Sequence, residues 1–138
     1  MKKNLISAAI VIAAIGLIYL LAARDDRNRH ANYRLKACEI IAIEGDSKSP
    51  NYYIRYRLNV DDIEVIGRET LYCGTSECLH GYRSLLIGKK LPVVYEFENP
   101  RNSEMLRDSV AFSEYKVQMS KEYVQVIRTI DSIDALRN

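Results

Sequence analysis

Residues Leu5 to Ala23 form an apolar run without a single charged side chain, and that run most limits what the chain can become. At about 1.5 Å of rise per residue, a helix of this length covers roughly the 30 Å hydrocarbon core of a bilayer. Lys2 and Lys3 precede it, Tyr19 sits near its end at headgroup depth, and Arg24-Asp-Asp-Arg-Asn-Arg29 stops it abruptly. A cleaved signal peptide has a shorter apolar region and a small residue at position −3 of the cleavage site, where Leu21 would stand here. No cysteine follows the run directly, as a lipoprotein anchor requires. We therefore expect residues 1–23 to be a single-pass transmembrane anchor in contact with the lipid bilayer through residues 5–23, and residues 24–32 to be a polar linker. The positive-inside rule pulls both ways, with Lys2 and Lys3 on one side and Arg24, Arg27 and Arg29 on the other. The short Lys-Lys start resembles an export signal, which places the rest of the chain outside the cytoplasm.

With 138 residues, the chain has room for one domain beyond the anchor. Its 20 basic and 18 acidic side chains are mixed along the sequence and leave a net charge of +2. No basic field exists to attract nucleic acid, so that partner class is excluded.

The soluble part reads as strands. Tyr33–Ile43 is rich in isoleucine and runs into a Gly45-Asp46-Ser47 turn and a polar loop over 47–51. Across Tyr52–Val60 the alternation is clear: Tyr52, Ile54, Tyr56, Leu58 and Val60 share one face, and Tyr53, Arg55, Arg57 and Asn59 the other. Asp61-Asp62 turns this strand into Ile63–Tyr72, which completes a hairpin, and Gly67 within that arm suggests a bulge or bend. The two aspartates could pass for paired catalytic carboxylates, but turn chemistry explains them. The period of two is lost over 73–88, where Ser84–Gly88 reads as a short helical turn capped by glycine. Leu91–Glu98 restores it, with Val93, Tyr95 and Phe97 on one side and Pro92 marking an edge or a strand opening. Asn99-Pro100 ends that strand. From Ser120 the period becomes helical, with Tyr123, Ile127, Ile130, Ile133 and Leu136 aligned.

The expected fold is mainly β, with an N-terminal transmembrane helix and a C-terminal helix. A small curled antiparallel sheet of roughly three to five strands, barrel- or sandwich-like, makes up the β part. The β-rich domain spans 33–115 and the amphipathic helix 116–138.

The run Gly88-Lys-Lys-Leu-Pro-Val-Val-Tyr-Glu-Phe-Glu-Asn-Pro-Arg-Asn-Ser-Glu-Met-Leu106 resembles a signature of small membrane-anchored bacterial proteins of unknown function. The resemblance covers about residues 33 to 115 and implies a small curled β-domain beside one or two transmembrane helices, with no established activity. The chain departs from that pattern at Asp62, where a glycine is frequent, and in the Cys73–Cys78 segment, which lies outside it.

Chemistry-bearing candidates are few. Cys73 and Cys78 could close a small disulfide loop outside the cytoplasm, which leaves Cys38 as the odd thiol of three. His80 invites a zinc reading with Cys73 and Cys78, although a fourth ligand is missing and the spacing is wide. Cys38, within an isoleucine-rich strand, reads as core. Arg55 and Arg57 share an outward face suited to an acidic partner or to solvent, and Ile127 and Ile130 lie on the amphipathic helix where a membrane-protein partner could bind or where the domain could pack. His30 belongs to the linker, with no partner in view. No nucleophile elbow, phosphate loop or paired-histidine helix is present. The expected function is a non-enzymatic interaction or scaffold module without a cofactor. The alternative is a small-ligand or metal-binding envelope protein built on Cys73, Cys78 and His80.

Overall fold

A computed structural model describes residues 2–45 and 51–136, with side chains from Ser7 onward. Residues 47–50 of the loop expected over 47–51, and most of the expected Gly45–Ser47 turn, fall outside the described residues.

The first helix, α1 (Lys2–Ala31), contains 30 residues, so the apolar run and the polar stretch after it are one element. The expected linker at 24–32 is thus helical as far as Ala31. Its polarity suggested a tether, yet it holds no proline or glycine to break a helix. Asp26 pairs with Arg29 at 2.8 Å one turn on, and Arg29 and His30 place basic groups in the last turn, where the helix dipole favours them. Among the described residues α1 is the one helix long and apolar enough to cross a membrane, judged by length and composition.

Five strands follow: β1 (Tyr33–Gly45), β2 (Tyr52–Val60), β3 (Ile63–Leu71), β4 (Lys90–Glu96) and β5 (Ser103–Met105). They form one curled antiparallel sheet in the order β3-β2-β1-β4-β5. The helices are α2 (Ser76–Leu86), α3 (Ser109–Glu114) and α4 (Lys121–Asp134). The fold class therefore stands as the sequence indicated: an N-terminal apolar helix, an antiparallel curled sheet and a C-terminal helix.

The alternation in β2 is realised, with Ile54, Tyr56, Leu58 and Val60 buried and Arg57 and Asn59 exposed. β1 carries a bulge: Ile40 faces Tyr56 while Ala42 faces Arg55, so Ile41 has no ladder partner on β2. This extra residue shifts the buried set from Cys38 and Ile40 to Ile43 and keeps apolar side chains inward through the bend. Gly67 makes no bulge. It lies opposite Tyr56 in an unbroken register, and a Cβ there would overlap the Tyr56 ring. The missing side chain makes space for an aromatic ring across the strand pair.

β4 is central rather than an edge, flanked by β1 and β5, and Leu91, Val93, Val94 and Tyr95 are all buried. Pro92 sits where the β5 ladder stops. Its carbonyl accepts from the Leu106 amide at 2.8 Å, so the nitrogen that lacks a hydrogen faces the same open end. Phe97, aligned with Val93 and Tyr95 by the alternation, is 59% exposed, past the end of β4.

The Asp61-Asp62 hairpin is confirmed, with Asp61 at φ 52°, a conformation aspartate tolerates in turns. The segment after β3 is a longer helix than expected. Thr75 caps α2 by accepting from the Cys78 amide at 3.2 Å, Cys78, Tyr82 and Leu86 form its buried stripe, and Gly88 follows at φ 81°. α4 packs on α2, with Gly81 against Ile133 and the Tyr82 hydroxyl donating to Asp134. Side chains stitch the gap between the outer strands: Glu69 accepts from the Met105 amide at 3.2 Å, and Arg107 donates to the Thr70 carbonyl at 3.0 Å. That covers two strand edges which would otherwise invite pairing with another chain.

Candidate functional site: the collar at the end of the apolar helix

A dense polar cluster gathers where α1 meets the β-domain. Arg29 lies six residues past the last apolar position, Ala23, yet its side chain is only 15% exposed. Its Nε donates to the Tyr115 hydroxyl at 2.7 Å, Nη1 to Asn102 Oδ1 at 2.8 Å, and Nη2 meets both Asp26 Oδ1 and Glu104 Oε2 at 2.8 Å. The Tyr115 hydroxyl in turn donates to Glu104 Oε2 at 2.9 Å, which closes a ring of charge-assisted bonds. Only a guanidinium has the fork of donors that can reach these acceptors at once.

Secondary contacts fix the collar's geometry. Asn102 donates from Nδ2 to the Asp25 carbonyl at 2.7 Å and to Glu96 Oε2 at 2.9 Å. The Phe97 amide donates to the Asn32 carbonyl at 3.2 Å, and Tyr33 Oη donates to the Tyr115 carbonyl at 2.8 Å. His30, read from sequence as a linker residue without a partner, stacks on Tyr115 with ring centroids 4.4 Å apart and has Nδ1 at 3.0 Å from the Asp26 carbonyl. Burial pushes the Tyr115 hydroxyl up to about 12, so it remains a proton donor at neutral pH.

An open groove of about 570 Å³ borders the collar, lined by Asp26, Arg29, Glu69, Ser103, Glu104 and Glu114 among others. Inside it Glu69 is driven above its ordinary range by burial, with the Met105 amide and Arg107 pulling the other way. The Tyr56 hydroxyl lies 3.0 Å from Ser103 Oγ, and burial raises that phenol too. Carboxylates, a guanidinium and phenols here satisfy one another.

The residues singled out in the sequence lie elsewhere. Cys73 and Cys78 stand at disulfide distance, with Cα atoms 5.7 Å apart. The closed loop contains Thr75, which caps α2 and, through its own hydroxyl, donates to the Leu136 carbonyl just past α4 at 2.7 Å. With the sulfurs joined, neither is a thiolate for zinc, and His80 stands exposed on α2. Among the described residues no histidine, cysteine and carboxylate side chains cluster as a metal site. Cys38 is buried, its thiol pushed up to about 12 by desolvation.

Arg55 pairs with Glu44 at 2.7 Å and Arg57 with Glu64 at 3.2 Å on the outer face of the sheet. Both stay partly accessible, but each already has an acidic neighbour. Ile127 and Ile130 do not form a partner surface: they are 6% and 3% exposed, pressed into the core with Val126 and Ile133. The amphipathic stripe of α4 is used within the domain, the ordinary fate of such a stripe.

Comparison with known proteins returns no match among family models, curated proteins or solved structures.

Proposed function

We propose that this chain is a membrane-anchored, non-enzymatic module that holds a small β-domain in a fixed attitude outside the cytoplasm for a membrane-protein partner. The observation that carries this reading is the collar: Arg29 clamps the end of α1 to Tyr115, Asn102 and Glu104, so the apolar helix continues into the domain without a hinge. A domain tethered only for retention needs no such clamp. The Cys73–Cys78 bridge favours an oxidising compartment. The likeness of Gly88–Leu106 to small membrane-anchored bacterial proteins points the same way.

The test is co-purification in a gentle detergent, comparing the parent chain with one carrying a flexible Gly-Ser insert between Ala31 and Asn32. A defined partner recovered with the parent and lost with the insert supports a module that works by its attitude. Equal recovery from both chains would reduce α1 to a tether. The metal-binding alternative draws no support from the paired sulfurs, and elemental analysis of the purified chain decides it, since stoichiometric zinc would revive it.

A further inference from the structure

We infer that the outer edge of β3 pairs with the same edge of a second copy of this chain, antiparallel and in the register that places Ile66 opposite Ile66. This pairing goes beyond the function proposed above and rests on neither the collar nor the partner named there.

β3 lies at one end of the sheet, with β2 as its ladder neighbour. It contains neither proline nor lysine, the residues that commonly blunt a strand edge. The bonds from the Met105 amide to Glu69 and from Arg107 to the Thr70 carbonyl cover only its last part. Residues 63–68 present a bare edge: Ile63 is 58% and Ile66 40% exposed, and Glu64 and Arg68 are exposed as well. The groove beside α1 reaches β3 only at Arg68 and Glu69.

Strand pairing fixes which backbone groups face outward. The two-residue turn Asp61-Asp62 joins Val60 to Ile63, and in such a hairpin the flanking pair is hydrogen-bonded. Alternation along the unbroken ladder turns Ile63, Val65, Gly67 and Glu69 toward β2. The N–H and C=O groups of Glu64, Ile66, Arg68 and Thr70 then face the free side. Arg107 reaches the Thr70 carbonyl from across the gap, as this parity requires.

The edge is self-complementary. Glu64, Ile66 and Arg68 share the outer face of the sheet, where Glu64 meets Arg57 at 3.2 Å and Arg68 lies over the Tyr53 ring at 4.3 Å. A second β3 placed antiparallel, Ile66 to Ile66, sets Glu64 against Arg68 of the copy and Arg68 against Glu64 of the copy. Each of these opposed pairs also exchanges backbone hydrogen bonds through its outward groups. On the other face Val65 meets Gly67 of the copy, so no bulky pair collides. A slip of two residues in either direction would set Ile66 against a charge, Glu64 or Arg68, and lose the ion pairs. The charge pattern thus selects both the occupant and the register. The paired segment is short, which makes the contact reversible and best read by trapping.

The full chain in detergent would carry one added cysteine at a time, since Cys38 is buried and Cys73 and Cys78 are bridged. Oxidation with copper phenanthroline and non-reducing electrophoresis then reads the covalent dimer. Opposed Cα atoms in a hydrogen-bonded pair lie about 5.5 Å apart, within disulfide reach. Ile66→Cys should therefore link to itself. Glu64→Cys and Arg68→Cys should each fail alone, because each lies about 13 Å along the strand from its own copy. The two should link when mixed. In an Ile66→Cys chain, adding Glu64→Arg should remove most of the linkage, and adding Arg68→Glu as well should restore it. All these positions are exposed, so the core is untouched. Ile66→Cys linking no more than Asn59→Cys, an exposed site on the same face of β2, would overturn the pairing. Glu64→Cys linking alone as readily as Ile66→Cys would overturn the register, and so would indifference to Glu64→Arg.

Discussion

Arg29 Nε and the hydroxyl of Tyr115 meet at 2.7 Å although 86 residues separate them along the chain. The bond joins the last turn of the apolar helix to the residue that ends α3. Its partners Asn102 and Glu104 come from the β4–β5 turn and from β5, so three separate segments converge on one guanidinium.

Removing that group leaves Glu104 and Asn102 without their shared donor. Arg29→Ala should lower stability by about 2 kcal/mol, a fall in Tm of roughly 10 °C for a domain of this size. Arg29→Lys should recover little of it, because an ammonium cannot present the planar fork. Thermal unfolding followed by circular dichroism in detergent checks both. An Arg29→Ala chain that melts with the parent would show that the collar does not hold the domain.

At the Tyr56–Gly67 pair the core tolerates no added carbon. Gly67→Ala should cost about 1–3 kcal/mol by forcing the ring of Tyr56 aside, although alanine is otherwise the better strand residue. Tyr56→Asp should abolish folding by burying an unpaired charge at a position 1% exposed. Expression and urea unfolding of the two variants measure this. A folded Tyr56→Asp chain would place the wrong face of β2 in the core.

Glu69 links stability to pH. Its carboxyl binds a proton more tightly folded than unfolded, because burial raises it from the ordinary 4.5. The stabilisation is therefore full below about pH 4.5 and is lost as pH rises through the folded value. Glu69→Gln keeps an oxygen for the Met105 amide without the buried charge. It should melt higher than the parent at neutral pH, with the gap closing at acid pH. A variant that melts lower at pH 7 would mean that the attraction of Arg107 outweighs desolvation.

The disulfide loop spans few residues, so the bridge should add about 2 kcal/mol by the chain-entropy account. Melting the chain with and without reductant, or as the Cys73→Ser, Cys78→Ser double variant, measures that contribution. Coincident curves would reduce the bridge to a bystander.

Much of the architecture could be read from local pattern. The alternation of Tyr52 to Val60, the Asp61-Asp62 turn, the Asn99-Pro100 stop and the helical spacing after Ser120 each arise within a few residues, where periodicity and turn chemistry speak directly. The misreadings share a different cause. Gly67 looked like a bulge because its reason, the ring of Tyr56, lies on the next strand. The actual bulge at Ile41 hid in a run of isoleucines, where a skipped residue leaves no break in apolarity. Residues 24–32 read as a linker because they are polar, yet the stretch holds no helix breaker and stays helical to Ala31. Most of α2 escapes a reading by period because its buried stripe, Cys78, Tyr82 and Leu86, is only three residues. The collar left no trace in the sequence. Arg29 is one arginine among several after the apolar run, and the residues that make it special lie 73 to 86 positions away.

A domain held outside the cytoplasm on an uncleaved anchor can be tested by labelling cysteines in intact cells with a membrane-impermeant maleimide, scored on the full-length chain. The expected result is no labelling until a reductant opens the Cys73–Cys78 bridge, and then labelling of those two thiols while buried Cys38 stays unreacted. Labelling that appears only after lysis and needs no reductant would contradict it, placing the domain in the cytoplasm with its cysteines reduced.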